Sequence, residues 1–105
     1  MSYRVRLTKA AEQDLEQLFD FILERELARD EGDFDLAELA VAAIVASLSL
    51  LERSPFTCRK ASGSPFLREL IIPFGATGYV ALFEIVDESN VLVLAVRHQR
   101  EDDYH

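Results

Sequence analysis

The sequence predicts an α+β domain in which a helical hairpin packs on one face of an antiparallel sheet, with the element order β-α-α-β-β-β. Three observations lead to this fold class. Apolar residues alternate near the start of the chain, recur at helical spacing through its middle, and form continuous β-rich runs in its last third. The 105 residues, 50% of them hydrophobic and 29% charged, suit one compact domain over residues 1–105.

The first strand and the first helix meet at Thr8. Residues 3–7 alternate between apolar and polar side chains, which is the period of a half-buried strand. Thr8 offers a side-chain oxygen as the N-cap of a helix that we expect over residues 9–29. The apolar residues of this helix recur at spacings of three and four: Ala11, Leu15, Leu18, Phe19 and Ile22. The acidic residues between them predict a solvated face on the remaining circumference.

A short polar turn separates this helix from a second one. The run at residues 30–33 breaks the first helix, and Asp35 with Glu38 supplies an N-cap and a capping-box-like partner for the next. We expect the second helix over residues 36–53, because Pro55 forbids its continuation. Two helices joined by a short polar turn predict an antiparallel hairpin.

Three β-rich runs follow a loop at residues 59–65. They span residues 66–74, 79–86 and 91–97, and the turn sequences between them span residues 75–78 and 87–90. Such short turns make antiparallel hairpins the simplest connection. Pro73 is expected where the first of these strands leaves the ladder.

The second helix carries more apolar surface than one sheet can cover. At 3.6 residues per turn, one stripe contains Val41, Ile44, Val45 and Leu48, and a second stripe on the opposite side contains Leu36, Leu39, Ala43 and Leu50. Only one stripe can face the sheet. The other is covered by the first helix or is left for a second chain.

The strand sequences show a similar excess. Residues 79–83 and 91–96 place apolar groups on both faces of the sheet, and two helices can cover only one of them. Either the loop at residues 59–65 wraps over the second face, or a partner covers it. We expect a protein partner, because an uncovered face would expose a patch beyond the few hundred Å² usual for monomers.

Composition excludes several classes of protein. The formal charge of −8 disfavours unaided binding to a phosphate backbone. The apolar stretches at residues 37–46 and 91–96 are too short or too interrupted to span a membrane, and residues 1–9 do not read as a signal peptide, so we expect a soluble cytoplasmic protein. The single cysteine, Cys58, and the two histidines cannot form an internal disulfide or a dense metal cluster, so we expect no metal or cofactor.

Polar candidates concentrate at the end of the chain, directly after the last strand. Arg97, His98 and Arg100 together could hold a phosphate or an acidic protein surface. In the alternative reading, the two arginines pair with nearby carboxylates and His98 only ends the strand. Arg97, His98 and Arg100, together with Tyr104 and Arg68, could form a phosphodiester-cleaving site. The chain has only two lysines and a net negative charge, which argue against such a site.

The order of these elements resembles the ParE branch of the RelE/ParE superfamily of toxins from type II toxin–antitoxin modules. Residues 5–15 look like the family's opening strand and helix start, and residues 50–55 look like the end of its second helix. Arg68-Glu69-Leu70, residues 79–85 and residues 91–101 look like its strand series, which closes on a histidine-arginine-acid signature. The sequence Thr57-Cys58-Arg59 departs from the Gly-Arg pair of many members.

The resemblance implies a RelE/ParE-like fold and a plasmid-stabilisation type of toxin, held inactive in a hetero-oligomer by a ParD-like antitoxin. It also implies that the free toxin inhibits DNA gyrase by trapping the cleaved complex and is not itself an enzyme. RelE-type relatives instead cleave messenger RNA on the ribosome with a basic set of side chains. The acidic balance of this chain favours gyrase inhibition, because a ribosome-dependent nuclease must approach a dense phosphate surface.

Two sets of residues are assigned on this basis, and no catalytic residue is expected. The target-binding set is Arg68, Arg97, His98, Arg100, Glu101 and Tyr104. The antitoxin-binding set is Val41, Ile44, Val45, Leu48, Tyr79 and Phe83.

Overall fold

The computed structural model describes residues 2–99, which form one five-stranded sheet with two helices on one face. The elements are β1 (Arg4–Leu7), α1 (Lys9–Leu27), α2 (Leu36–Leu48), β2 (Arg59–Lys60), β3 (Leu67–Phe74), β4 (Thr77–Ile85) and β5 (Asn90–His98). Short 3₁₀ turns at Ser49–Glu52 and Pro55–Thr57 connect α2 to β2. The strand order is β1-β5-β4-β3-β2.

The predicted α+β fold is confirmed, and β3, β4 and β5 pair antiparallel as expected. Two features of the sheet differ from the prediction. β1 lies beside β5 and runs parallel to it, so the sheet is mixed. Arg59–Lys60, expected in a loop, forms a short antiparallel strand on the outer edge of β3. The alternation of apolar and polar residues shows which side chains of a strand are buried, but it does not show which strand lies beside it. A two-residue strand is too short to show any alternation.

Side chains at the start of α1 hold this helix against β5. The Thr8 hydroxyl accepts a hydrogen bond from the backbone N–H of Ala11 at 3.1 Å, as the N-cap prediction requires, and donates to the carbonyl of Leu94 at 3.3 Å. The Asp14 carboxylate accepts the backbone N–H of Val96 at 2.9 Å. These contacts lie on either side of a β-bulge in β5, where the pairing with β4 shifts by one residue.

The turn between the helices is organised around Glu26, which is buried at the end of α1. Its carboxylate accepts the backbone N–H of Asp33 at 3.0 Å and pairs with Arg29 at 3.0 Å and with Arg25 at 3.3 Å. The N–H of Asp33, together with the two guanidinium groups, holds the pKa of Glu26 below its ordinary value against the opposing effect of burial. Gly32 packs directly against the backbone of Glu26, so the turn is tied to the helix end by both backbone and side chain.

The ends of α2 differ from the prediction. Asp35 precedes the helix but its side chain makes no capping hydrogen bond. The carboxylate of Asp33 instead accepts the N–H of Asp35 at 2.9 Å, which stabilises the turn before the helix. The α-helix stops at Leu48 and tightens into the 3₁₀ turn at Ser49–Glu52, whereas the sequence predicted a helix through Arg53.

One face of α2 is buried between α1 and the sheet, and it is not either of the predicted stripes. Its buried row combines Ile44 and Leu48 with two alanines, Ala37 and Ala40, which let the backbones approach closely. Exposed residues come from both predicted stripes: Val45 from the first, and Leu39 and Leu50 from the second, with Leu50 in the 3₁₀ turn after the helix. Neither helix, within residues 2–99, combines the length and hydropathy that a bilayer span requires.

The hairpin between β3 and β4 turns through Gly75, whose φ of 61° is the left-handed region that favours glycine. β3 does not leave the ladder at Pro73, as the sequence suggested, because Pro73 still pairs with Gly78 and the strand continues to Phe74. The carbonyl of Leu67 faces the outer edge, where it accepts the N–H of Ala61 at 2.9 Å. Alternation then places the missing N–H of Pro73 on the same outer edge, so no bond to β4 is lost.

We expect Gly32→Ala to lower the free energy of unfolding by about 2 kcal/mol, because the added Cβ would overlap the backbone carbonyl of Glu26. Urea unfolding followed by circular dichroism measures this change. Gly63→Ala is the matched control, because no atom lies within 4 Å of a Cβ at that position. Equal unfolding midpoints for the two variants would contradict the packing described for the turn.

Candidate functional site

The predicted antitoxin-binding residues occupy two different environments. Ile44, Leu48, Tyr79 and Phe83 are all buried in the core between the helices and the sheet. Ile44, Leu48 and Phe83 therefore offer no free surface to a partner, which does not fit the prediction made for these three residues. Tyr79 is only 5% exposed, but it lines the groove described next. Helical and strand periods identify apolar faces, but they do not show which face the chain itself will cover. Of the other two residues in the set, Val41 is half-buried and Val45 is 53% exposed on the outer face of α2.

A groove with a volume of about 820 Å³ lies between α1, the start of α2 and the far end of β5. We call it the α1–sheet groove. Its apolar lining includes Leu18, Phe21, Leu36, Phe74 and Tyr79. Phe21 is the most accessible of these, with 61% of its surface exposed. A large aromatic side chain exposed at the mouth of an apolar groove is typical of a binding site for another protein.

Aromatic rings form one wall of the α1–sheet groove. The ring centroid of Tyr79 lies 5.6 Å from that of His98 in an edge-to-face arrangement, and 6.1 Å from that of Phe74. Nε2 of His98 lies 3.1 Å from the hydroxyl of Thr77, which fixes the imidazole at the groove's edge. Burial raises the pKa of Tyr79, and the nearby charge of Arg25 opposes that rise only in part, so the phenol stays neutral at physiological pH.

The structure separates the two residues that the sequence grouped as a target-binding pair. His98 lies opposite Tyr79 and points to the helical side of the sheet. Arg97 lies opposite Val80 and points to the face turned away from the helices. Consecutive residues of a strand alternate between faces, so the two side chains do not converge. The other members of the set at the chain end, Arg100, Glu101 and Tyr104, lie outside the described residues.

Arg68, also predicted to contact a target, is engaged within the chain. Its guanidinium donates to the carbonyls of Pro65, Phe56 and Cys58 at 2.7, 2.8 and 2.8 Å. The same group lies 5.2 Å from the ring centroid of Phe56. Arg68 therefore ties the segment before β2 and the loop before β3 to the sheet, which is a structural role.

The sequence did not identify the groove residues Phe21, Leu36 and Phe74 as functional. One feature of the sequence marks Phe21 as a binding residue: it is an aromatic residue of α1 that falls outside the predicted apolar stripe. Another feature marks Leu36, because it belongs to the second of two apolar stripes, of which only one can face the sheet. No such feature marks Phe74, because it lies at the end of β3, whose position depends on the fold. Their contribution to a groove becomes visible only once α1 is placed beside β5.

The described part of the chain offers little for metal or nucleophilic chemistry. No group of three or more metal-ligating side chains comes together within residues 2–99. Burial raises the pKa of the Cys58 thiol, against a weaker opposing effect from Arg68, so the thiolate form is scarce at neutral pH.

Comparison with known proteins agrees with this picture. Residues 5–103 match the family model described as the ParE toxin of the type II toxin–antitoxin system, parDE. The chain belongs to the ParE toxin family. This confirms the predicted resemblance, and it makes the protein a type II toxin. No curated protein matches the sequence.

Two solved structures share the fold of this ParE-family toxin. A chain of the chromosomal ParDE toxin–antitoxin system from P. aeruginosa has a TM-score of 0.71 and 20% identity, covering 92% of this chain and 96% of that one. A chain of the toxin–antitoxin complex RelBE2 from Mycobacterium tuberculosis has a TM-score of 0.58 and 25% identity, covering 93% of this chain and 99% of that one.

We expect Arg68→Ala to lower the free energy of unfolding by about 2 kcal/mol, because three carbonyls lose a charged donor. Arg68→Lys should restore only part of this, since an ammonium group cannot reproduce the guanidinium fork. Urea unfolding gives the free energies, and hydrogen exchange of residues 56–67 locates the loosened segment. A fully stable Arg68→Ala variant that has lost toxicity would contradict the structural role.

Proposed function

We propose that this ParE-family toxin is neutralised by a ParD-like antitoxin seated in the α1–sheet groove, and that the free toxin inhibits DNA gyrase. The observation that carries the antitoxin part is the groove itself, about 820 Å³ in volume with Phe21 exposed at its mouth. Because gyrase acts on intracellular DNA, the proposal requires the toxin to work in the cytoplasm.

The chemistry of the groove supports an amphipathic polypeptide as its occupant. Its lining combines apolar side chains with polar ones, among them Asp14, Gln17 and Arg25. A segment with an apolar stripe would cover Phe21 and Leu18 and leave its polar side to the polar residues of the groove and to water. Such burial removes exposed apolar surface from water, which supports stable hetero-oligomer formation.

Gyrase inhibition is favoured over messenger RNA cleavage by the arrangement of the basic residues. A nuclease needs a proton donor or acceptor beside cations that stabilise the developing charge. Here Arg68 is held by three carbonyls, and Arg97 and His98 point to opposite faces of the sheet. Within residues 2–99 these candidates do not converge on one phosphate, so the structure supports a non-enzymatic toxin.

Expression of the chain without an antitoxin is expected to arrest growth with a DNA damage response, and the purified toxin should make gyrase linearise plasmid DNA. Co-expression of the ParD-like antitoxin should restore growth. Rapid loss of messenger RNA while plasmid DNA stays intact would contradict gyrase as the target and support the RelE type of activity. A gyrase reaction without toxin and a reaction with the toxin–antitoxin complex are the controls.

The groove assignment predicts that Phe21→Ser weakens antitoxin binding by about tenfold or more, because a central aromatic anchor is lost. The variant should remain folded, since Phe21 is mostly exposed. Phe66→Ser is the matched control, because Phe66 is also about half exposed but lines a different depression near the β4–β5 turn. Isothermal titration calorimetry measures both affinities, and equal weakening by the two variants would contradict the groove as the antitoxin site.

A further inference from the structure

The side of the sheet that points away from both helices has an apolar centre of its own. On β4, Tyr79 and Ala81 belong to the core, so Val80 and Leu82 point to the opposite side. Directly paired residues of neighbouring strands share a face, which extends this surface to β3 and β5. We call it the open face, and its apolar centre is Ile71, Val80, Leu82, Leu92 and Ala95.

The apolar centre of the open face is only partly covered by the chain. Val80, at its middle, is buried, whereas Ile71 is 38% exposed, and Leu82, Leu92 and Ala95 are half-buried. The helices do not contribute to it, because the strand residues that pack with α1 and α2 all lie on the other side of the sheet. A sheet with helices on one side only leaves this second face available to another protein.

Arginines surround this apolar centre. Arg6 lies beside Leu92, and Arg97 lies beside Val80. Arg4 lies two residues before Arg6 on the same side of β1. All three side chains are exposed, and none forms an ion pair with another described residue. A fourth arginine, Arg59, is paired with Glu69 at 3.0 Å. On the same face lie the carboxylates of Glu69 and Glu84, and the charge of Arg6 also contributes to lowering the pKa of Asp87 in the turn after β4, so the arginines remain in excess.

This charge runs opposite to that of the rest of the molecule. The whole chain has a net charge of −8, whereas the open face carries an excess of positive charge. The solvated side of α1, on the other side of the sheet, carries Glu12, Glu16, Asp20 and Glu24. We therefore expect charge to steer an acidic protein surface toward the open face.

We propose that the open face docks an acidic segment of a protein that also carries apolar side chains. The apolar residues of that segment would cover Leu82 and Leu92, and its carboxylates would pair with the arginines at positions 4, 6 and 97. Within residues 2–99 the open face has no aromatic side chain on which a nucleic acid base could stack. Its apolar centre also fits polypeptide better than a sugar-phosphate backbone.

The inference deepens the proposed function, on which it rests, by naming the surface through which the free toxin meets its protein target. It also separates the target surface from the antitoxin groove. The groove opens between α1 and the sheet, whereas the open face lies on the other side of the same strands.

The test reverses two charges of the open face in the full chain, as the double variant Arg4→Glu/Arg6→Glu, because Arg97 also borders the α1–sheet groove whereas these two arginines do not. The matched control is Lys9→Glu/Arg53→Glu, which changes the net charge equally at exposed positions outside the open face. We expect the toxin concentration that half-inhibits gyrase supercoiling to rise by about tenfold or more for the first variant and to stay within about twofold for the control. Antitoxin binding and circular dichroism should be unchanged in both.

The outcomes distinguish failure of the inference from failure of the proposed target. If the open-face variant inhibits gyrase as strongly as the unmodified toxin, the inference is wrong and the proposed function stands. If the unmodified toxin does not inhibit gyrase, the proposed target is wrong, and growth arrest becomes the readout. Arrest that persists in the open-face variant then overturns the inference, and arrest that is lost only in that variant supports an acidic surface on a different protein.

A second measurement tests the class of partner. The unmodified toxin is titrated with a fluorescent single-stranded RNA oligonucleotide at physiological ionic strength, and we expect no saturable binding. Saturable binding that disappears in Arg4→Glu/Arg6→Glu would overturn the inference, because the open face would then be a nucleic acid site.

Discussion

The hydrogen bond from the backbone N–H of Val96 to the Asp14 carboxylate joins α1 to the second half of β5, and the position of the α1–sheet groove depends on this contact. β1 pairs with β5 only as far as Val93, and beyond that point a side chain of α1 takes the place of a neighbouring strand. The helix is thereby held beside the second half of β5 rather than flat against the whole sheet. The α1–sheet groove lies where β5 continues beyond the end of β1.

Most of the fold follows from short-range signals, and the functional surfaces do not. The period of α1, the cap at Thr8 and the spacing of the three long strands were readable because each depends on neighbours in the sequence. The parallel pairing of β1, the buried row of α2 and the bulge in β5 were not, because each depends on contacts between distant segments. The separation of Arg97 from His98 is different, because the alternation of side chains along a strand is enough to indicate it.

The two sides of the molecule differ in charge and in chemistry. The helical side combines an acidic surface with an apolar groove, whereas the other side combines arginines with half-buried aliphatic residues. Two proposed partners of different character can therefore recognise largely different surfaces of one small domain. A segment in the groove does not cover Arg4 and Arg6, so under these proposals the antitoxin neutralises the toxin by altering its encounter with the target rather than by occupying the open face.

The outer edge of β3 has a consequence for the life of the toxin outside its complex. Within residues 2–99 only the two residues of β2 pair with this edge, and further along it Pro73 has no N–H to offer an incoming strand. Lys60 and Arg59 add positive charge at the covered end. The edge is therefore a poor template for strand-to-strand aggregation, which would keep the proposed free toxin from polymerising along its sheet after release from an antitoxin.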